Sequence, residues 1–204
     1  MVPEAVRVLF RKTGNLQFIS HLDLMRTMTS ALVRARIPVY YSEGFNPHPK
    51  ISFALPLSIG TQSVCEYMDM KLTEPMDGET LLKALNGVLP EELRMLEVFS
   101  PQHKCPEIGW AEYEIGLDRD VDIEAFLSEP VIIRKKTKSG EEKEVDIRRQ
   151  IRRWEKSGNS LVVQLAASNR EYLNPETLAK ALGLCDYTIL RRQVYLSDGE
   201  TLFR

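Results

Sequence analysis

Between residues 42 and 50 the chain reads Ser42-Glu43-Gly44-Phe45-Asn46-Pro47-His48-Pro49-Lys50, so one imidazole stands between two prolines with an amide before it and an ammonium after it. Pro47 and Pro49 each fix a φ angle and bias the preceding residue toward extended backbone, which leaves His48 little room to rearrange. A preorganised Asn46, His48 and Lys50 suit a phosphate or the edge of a nucleobase. A second imidazole, His21, follows Ser20 at the start of an expected helix, where the N-terminal dipole favours the neutral ring. Either His21 or His48 has the chemistry of a general base toward a ribose 2′-hydroxyl, with Lys50 opposing the charge that develops on phosphorus. The plainer alternatives are a rigid connector around His48 and a His21 that completes a first helical turn.

Cations and rings surround these groups. Arg26 and Arg34 lie on the same expected helix, and Tyr40, Tyr41 and Phe45 are close to Lys50 in sequence. Interleaved cations and aromatic rings hold single-stranded RNA, although a tyrosine pair in a strand equally serves a core. A further basic concentration, Arg134 to Lys138 with Arg148-Arg149-Gln150-Ile151-Arg152-Arg153-Trp154, makes Arg148, Arg152 and Arg153 candidate RNA contacts. As a strand, that second segment puts Arg148, Gln150, Arg152 and Trp154 on one face; as a helix, it buries Ile147, Ile151 and Trp154.

Several function classes lose support. The chain contains no Walker loop, nucleophile elbow, zincin helix or dinucleotide-binding fingerprint, and Gly44 is too isolated to cradle a nucleotide phosphate. Three cysteines, Cys65, Cys105 and Cys185, are far apart and include no Cys-x-x-Cys pair. His103 with Cys105 is a weak metal-ligand pair, so neither a metal nor another cofactor is expected. No apolar run approaches the roughly 18 residues that span a bilayer, and the first residues do not resemble a signal peptide. The expectation is a cytoplasmic protein with no membrane partner.

The 204 residues carry a formal charge of −2. That total conceals a partition: residues 1–60 hold seven basic and three acidic side chains, 61–130 five and sixteen, and 131–204 fifteen and ten. Two basic segments around an acidic one give either a basic face with an acidic back or mixed solvated surfaces.

The positioning elements follow from periodicity. Residues 5–12 alternate as a strand; Ser20 caps a helix whose expected stripe is Leu22, Met25, Leu32 and Val33 and which ends before Ile37-Pro38. Val39 to Tyr41, Lys50 to Leu55, and Glu66 to Leu72 read as strands, Asp77 opens a helix, and Leu93 to Phe99 is a strand. This β-α-β-β-α-β order predicts a ferredoxin-like domain over 1–100. After Pro101 to Pro106, strands are expected at Trp110 to Leu117 and Leu161 to Ala167, and short helices at Asp122 to Leu127 and Asn174 to Leu182. A hairpin is expected around Ser139-Gly140, and a last strand at Tyr187 to Leu196. The fold class is therefore α+β: two ferredoxin-like, split β-α-β halves in tandem, 1–100 and 107–204, with antiparallel sheets and helices on one face.

Phe18-Ile19-Ser20-His21-Leu22-Asp23-Leu24-Met25-Arg26, Arg34-Ala35-Arg36-Ile37-Pro38, Tyr41 to Leu57 and Glu66-Tyr67 closely resemble the bacterial radical-SAM-linked domain of unknown function. The likeness is most specific through residue 72 and beyond residue 110 rests on features such as Asp146-Ile147-Arg148. In that family the domain is fused behind, or encoded beside, a B12-binding radical S-adenosylmethionine protein. The resemblance implies a radical S-adenosylmethionine partner to which this chain, lacking a catalytic cluster, presents RNA or a ribosomal component. The tandem shape also resembles the CRISPR repeat-processing endoribonucleases. Three readings follow: an auxiliary RNA- or ribosome-associated protein, a metal-independent endoribonuclease, and a protein–protein adaptor without nucleic acid.

Overall fold

The computed structural model describes residues 4–136 and 142–204, with the backbone alone at 135 and 136. The chain divides into two units, Met1–Cys105 with Phe203–Arg204, and Pro106–Leu202. Both are mixed α+β structures built on antiparallel pairing.

In the first unit, β1 (Glu4–Lys12) alternates as its sequence requires, sending Val6, Val8 and Phe10 into the core. Helix α1 (His21–Arg34) begins where Ser20 accepts the Asp23 amide at 3.1 Å. Its buried stripe is Leu24, Met28, Ala31 and Leu32. The expected stripe is displaced: Leu22 and Val33 are exposed, because the i, i+4, i+7, i+8 set starting at Leu24 gives an unbroken apolar face whereas Leu22 and Val33 lie on its flanks. The helix stops at Arg34, and Arg36 takes a left-handed φ of 54° before Ile37-Pro38.

The next strands are β2 (Ile51–Phe53) and β3 (Thr61–Leu72), followed by α2 (Gly78–Asn86), which Asp77 caps through the Thr80 amide, and β4 (Met95–Phe99). Strand order is β4-β1-β3-β2, with every neighbouring pair antiparallel. Leu81 and Leu85 of α2 join the α1 stripe and Val6, Val8, Phe10, Met68, Met70 and Leu72 in one cluster, so both helices cover the same sheet face. Full burial of each such side chain contributes about 1.5–3 kcal/mol. Val39 to Tyr41 form only isolated bridges, to Leu72 and Pro49, instead of the expected strand. Pro38 and Pro49 supply no N–H, so a ladder begun there cannot extend.

The second unit contains β5 (Ile108–Gly116), α3 (Ile123–Ser128) capped by Asp122, the hairpin of β6 (Ile132–Lys136) with β7 (Glu142–Asp146), β8 (Ile151–Ser157), β9 (Ser160–Ala166), α4 (Pro175–Ala181) capped by Asn174, and β10 (Ile189–Leu196). The expected turn at Ser139-Gly140 lies outside the described residues. Strand order is β10-β5-β9-β8, again antiparallel throughout. Leu161 and Val163 share a small apolar cavity with Ile123 and Phe126 of α3 and Leu178 and Leu182 beside α4, which identifies the helix-covered face. The ambiguous basic segment resolves into a 3₁₀ turn at Arg148–Gln150 followed by β8, so Arg148 and Gln150 do not share the strand's face. Among the described residues no helix is long and apolar enough to cross a membrane.

Candidate functional site

The 42–50 loop is closed by its own backbone. The Ser42 amide donates to the His48 carbonyl at 2.8 Å, and the Lys50 amide donates to the Tyr40 carbonyl at 2.9 Å. Ser42 Oγ accepts the His48 backbone N–H at 3.1 Å and stands 2.9 Å from His48 Nδ1, while the Asn46 carbonyl is 3.4 Å from the same nitrogen. In the tautomer that carries its proton on Nδ1, both oxygens accept from that nitrogen and Nε2 is the lone-pair nitrogen. Gly44 adopts a φ of +121°, a region open to glycine at little cost, and it lets the loop turn at its tip. There Phe45 is fully exposed, and Asn46 is exposed beside it. Lys50 Nζ lies 5.3 Å from the centre of the Tyr40 ring, a cation–π contact that restrains the ammonium.

His48, Lys50 and Ser52 line a cleft of about 470 Å³ together with Ala5, Met25, Asp69 and Lys71. Ser52, Asp69 and Lys71 were not among the residues singled out from sequence. The alternation of β3 carried the signal, since Asp69 and Lys71 fall on the face opposite Met68, Met70 and Leu72. Asp69 is held by the buried Arg7, whose Nε and Nη2 donate to its two oxygens at 2.6 and 2.8 Å. The carboxylate is thereby neutralised locally, and the remaining charges of the cleft, Lys50 and Lys71, are cationic. Cys105 Sγ lies 3.8 Å from Asp69 Oδ2. Burial first, and then the Asp69 charge, push that thiol's pKa upward.

His21 lines a separate, tight cavity with Lys12, Ser20, Phe53 and Glu66, its ring edge-on to Phe53 at 5.4 Å. Lys12 and Glu66 are buried there, and Lys12 Nζ donates to the Gln17 carbonyl at 3.2 Å. The two candidate histidines thus face different cavities. Arg26 pairs with Asp23 at 3.3 Å, and Arg34 donates to the Val88 carbonyl at 2.9 Å; neither lines the His48 cleft. A hydrogen bond from Ser20 and the charge of Arg26 help hold the Asp23 carboxyl below its ordinary pKa.

In the second unit the candidate arginines are engaged with acids. Arg148 grips Asp146 through Nε at 3.0 Å and Nη2 at 2.9 Å, and this contact, with the Arg148 amide, lowers the Asp146 pKa. Glu200 accepts from Arg153 at 2.8 Å and lies 3.5 Å from Arg152. Arg134 stands 3.7 Å from Glu144 across the β6–β7 hairpin. The segment that reads as basic in sequence is therefore a partly compensated surface. Among the described residues no group of three or more His, Cys, Asp or Glu is arranged to hold a metal ion.

Residues 5–175 match the model of a family described as an uncharacterized protein conserved in bacteria, DUF2344, and the chain belongs to that family. No curated protein matches it.

Proposed function

We propose that this protein is an auxiliary RNA- or ribosome-associated factor of the bacterial cytoplasm that presents its substrate to a radical S-adenosylmethionine partner. The observation that carries the RNA part is the His48 cleft: Lys50 and Lys71 beside a fixed imidazole, with the fully exposed Phe45 ring on the same loop. Ammonium groups neutralise phosphates, His48 Nε2 and Asn46 make directional hydrogen bonds, and an exposed ring offers a stacking platform for an unpaired base. The radical-enzyme part rests on the sequence resemblance. We also infer a ferredoxin-like topology for each unit, supported by the shared order of fourth, first, third and second strand when the β6–β7 hairpin is set aside.

Binding of fluorescently labelled single-stranded and duplex RNA to the full chain, measured across a salt series, tests the RNA part. Tighter binding of the single strand is expected, with a salt slope that falls by about one to two when Lys50 and Lys71 are both replaced by Ala. Equal binding by that variant would overturn the cleft assignment. A tagged pull-down split with and without ribonuclease tests the partner: a radical enzyme retained in both arms is expected, and its absence from both would defeat the presenting role.

A second reading, a metal-independent endoribonuclease, is favoured by one feature, the engagement of His48 Nδ1 that leaves Nε2 available as a base beside Lys50. A two-histidine version draws no support from the separate cavities. Cleavage of RNA by purified protein, lost in His48→Ala and kept in His21→Ala, is its test.

A further inference from the structure

The sheet face of the second unit opposite its helices carries a cleft of about 490 Å³ that lies outside the proposed RNA site. The register places its polar groups. Glu112 of β5, Gln164 of β9 and Arg153 of β8 are consecutive partners across three strands, and Glu155 sits two pairs further along on the same face, opposite Val162. Tyr195 also lines the cleft, whereas Trp154, paired with Val163, turns its side chain to the helix-covered face.

Gln164 is 3% exposed. Its Nε2 donates to the Gly199 carbonyl at 2.8 Å, which fixes the orientation of the amide, and its Oε1 is buried with no hydrogen-bond partner among the described residues. A buried acceptor without a donor costs about 1–3 kcal/mol, so this oxygen calls for a donor from outside the described protein groups. The lining states what that ligand offers. Arg152 and Arg153 are already engaged by Glu200, whereas the contacts of Glu112 to Arg192 at 3.9 Å and to the Tyr195 hydroxyl at 3.4 Å are long. What the cleft has to spare is acceptors: Gln164 Oε1 and the carboxylates of Glu112 and Glu155, flanked by the Tyr195 ring.

We propose that this cleft binds a guanidinium group, as carried by arginine. A planar fork of five N–H donors serves two carboxylates and an amide oxygen at once and stacks on an aromatic face, whereas a lysine ammonium is a compact point charge that satisfies fewer of them. The turn Leu196–Thr201 preorganises the site: Asp198 accepts from the Glu200 and Thr201 amides and the Thr201 hydroxyl, and so positions Gly199 against Gln164 and Glu200 against the arginines.

The test is an NMR titration of the full chain, following the Gln164 side-chain amide and the Tyr195 ring. The probes are N-acetyl-arginine amide, free arginine, and the citrulline and lysine counterparts of the first. Both signals are expected to move with the arginine amide, at least tenfold more tightly than with citrulline, whose planar group is uncharged. Glu112→Gln with Glu155→Gln, both exchanges of like size near the surface, is expected to weaken binding about tenfold while leaving the spectrum folded. Preference for the arginine amide over free arginine would identify a peptide-borne side chain, and the reverse a free metabolite; either supports the site. Equal response to citrulline or lysine, or binding unchanged by the double exchange, would overturn it. Loss of RNA binding in cleft variants of the first unit has no bearing on these outcomes.

Discussion

Arg7, 1% exposed, holds Asp69 through two parallel hydrogen bonds of 2.6 and 2.8 Å. Its guanidinium carbon also lies 4.1 Å from the centre of the Phe203 ring. A buried cation of this kind depends on its single carboxylate, because the low dielectric that strengthens the pair also penalises the survivor when one partner is removed. Asp69 additionally lines the His48 cleft, so the pair couples core stability to the site. Asp69→Ala is expected to cost about 3 kcal/mol in denaturant unfolding, at the lower end for a buried pair since the Asp69 side chain is 26% exposed. Replacing Arg7 by Met together with Asp69→Ala is expected to recover most of that loss; recovery of none would mean the pair is not the source of it.

Ser42 is expected to act on the site through His48. Its Oγ meets both the backbone N–H and Nδ1 of that residue, so Ser42→Ala frees the ring to rotate while removing about 1 kcal/mol or less of hydrogen bonding at an exposed position. The expected result is a melting temperature within a few degrees of the parent and an RNA affinity lowered several-fold, matched by His48→Ala and not worsened when the two are combined. Additive losses would show that Ser42 contacts the ligand itself.

Phe45 separates binding from folding. The ring is fully exposed, hence Phe45→Ala is expected to leave stability within about 0.5 kcal/mol. A stacked base is worth about 1–3 kcal/mol, so affinity for single-stranded RNA should fall by about fivefold or more. Phe45→Trp should retain it. Unaltered affinity in the alanine variant would remove stacking from the proposed mode and shift weight to an adaptor role. That role has its own surface: Phe18 and Ile59 are exposed, and the Gly60 amide donates to the Gln17 carbonyl at 3.0 Å, bringing their segments together.

Helix starts were legible because they are local: Ser20, Asp77, Asp122 and Asn174 each accept a backbone amide two or three residues ahead, a pattern written within one turn of sequence. Strand faces were legible for the same reason, as in the Glu66 to Leu72 alternation. The α1 stripe was misplaced because Leu22 and Val33 are apolar yet unburied, a distinction that depends on what the helix packs against. Less still could be read where partners are remote. Arg7 and Asp69 are 62 residues apart, and Glu200 meets Arg153 across 47, so neither the buried pair nor the neutralisation of the basic segment is written locally. Likewise, the loop suggested His48 and Lys50, but Lys71 reaches their cleft only because β2 pairs with β3.

The pH dependence of the Leu196–Thr201 turn follows from Asp198, whose pKa is lowered to about 2, chiefly by the Thr201 hydroxyl and then by the Glu200 and Thr201 amides. In the unfolded chain the carboxyl returns to about 3.9. A depressed folded-state value means that the ionised form is the one the fold favours, so the stabilisation is complete above the unfolded value and is lost as pH falls through the folded one. The stability difference between the parent and Asp198→Asn, which shares every other titrating group, should be constant from about pH 7 to pH 5 and shrink between about pH 4 and pH 2. Because the same turn carries Gly199 and Glu200, the Gln164 amide resonance should shift over that interval in the parent alone. A pH-independent difference would mean that the Asp198 hydrogen bonds do not distinguish its ionised form.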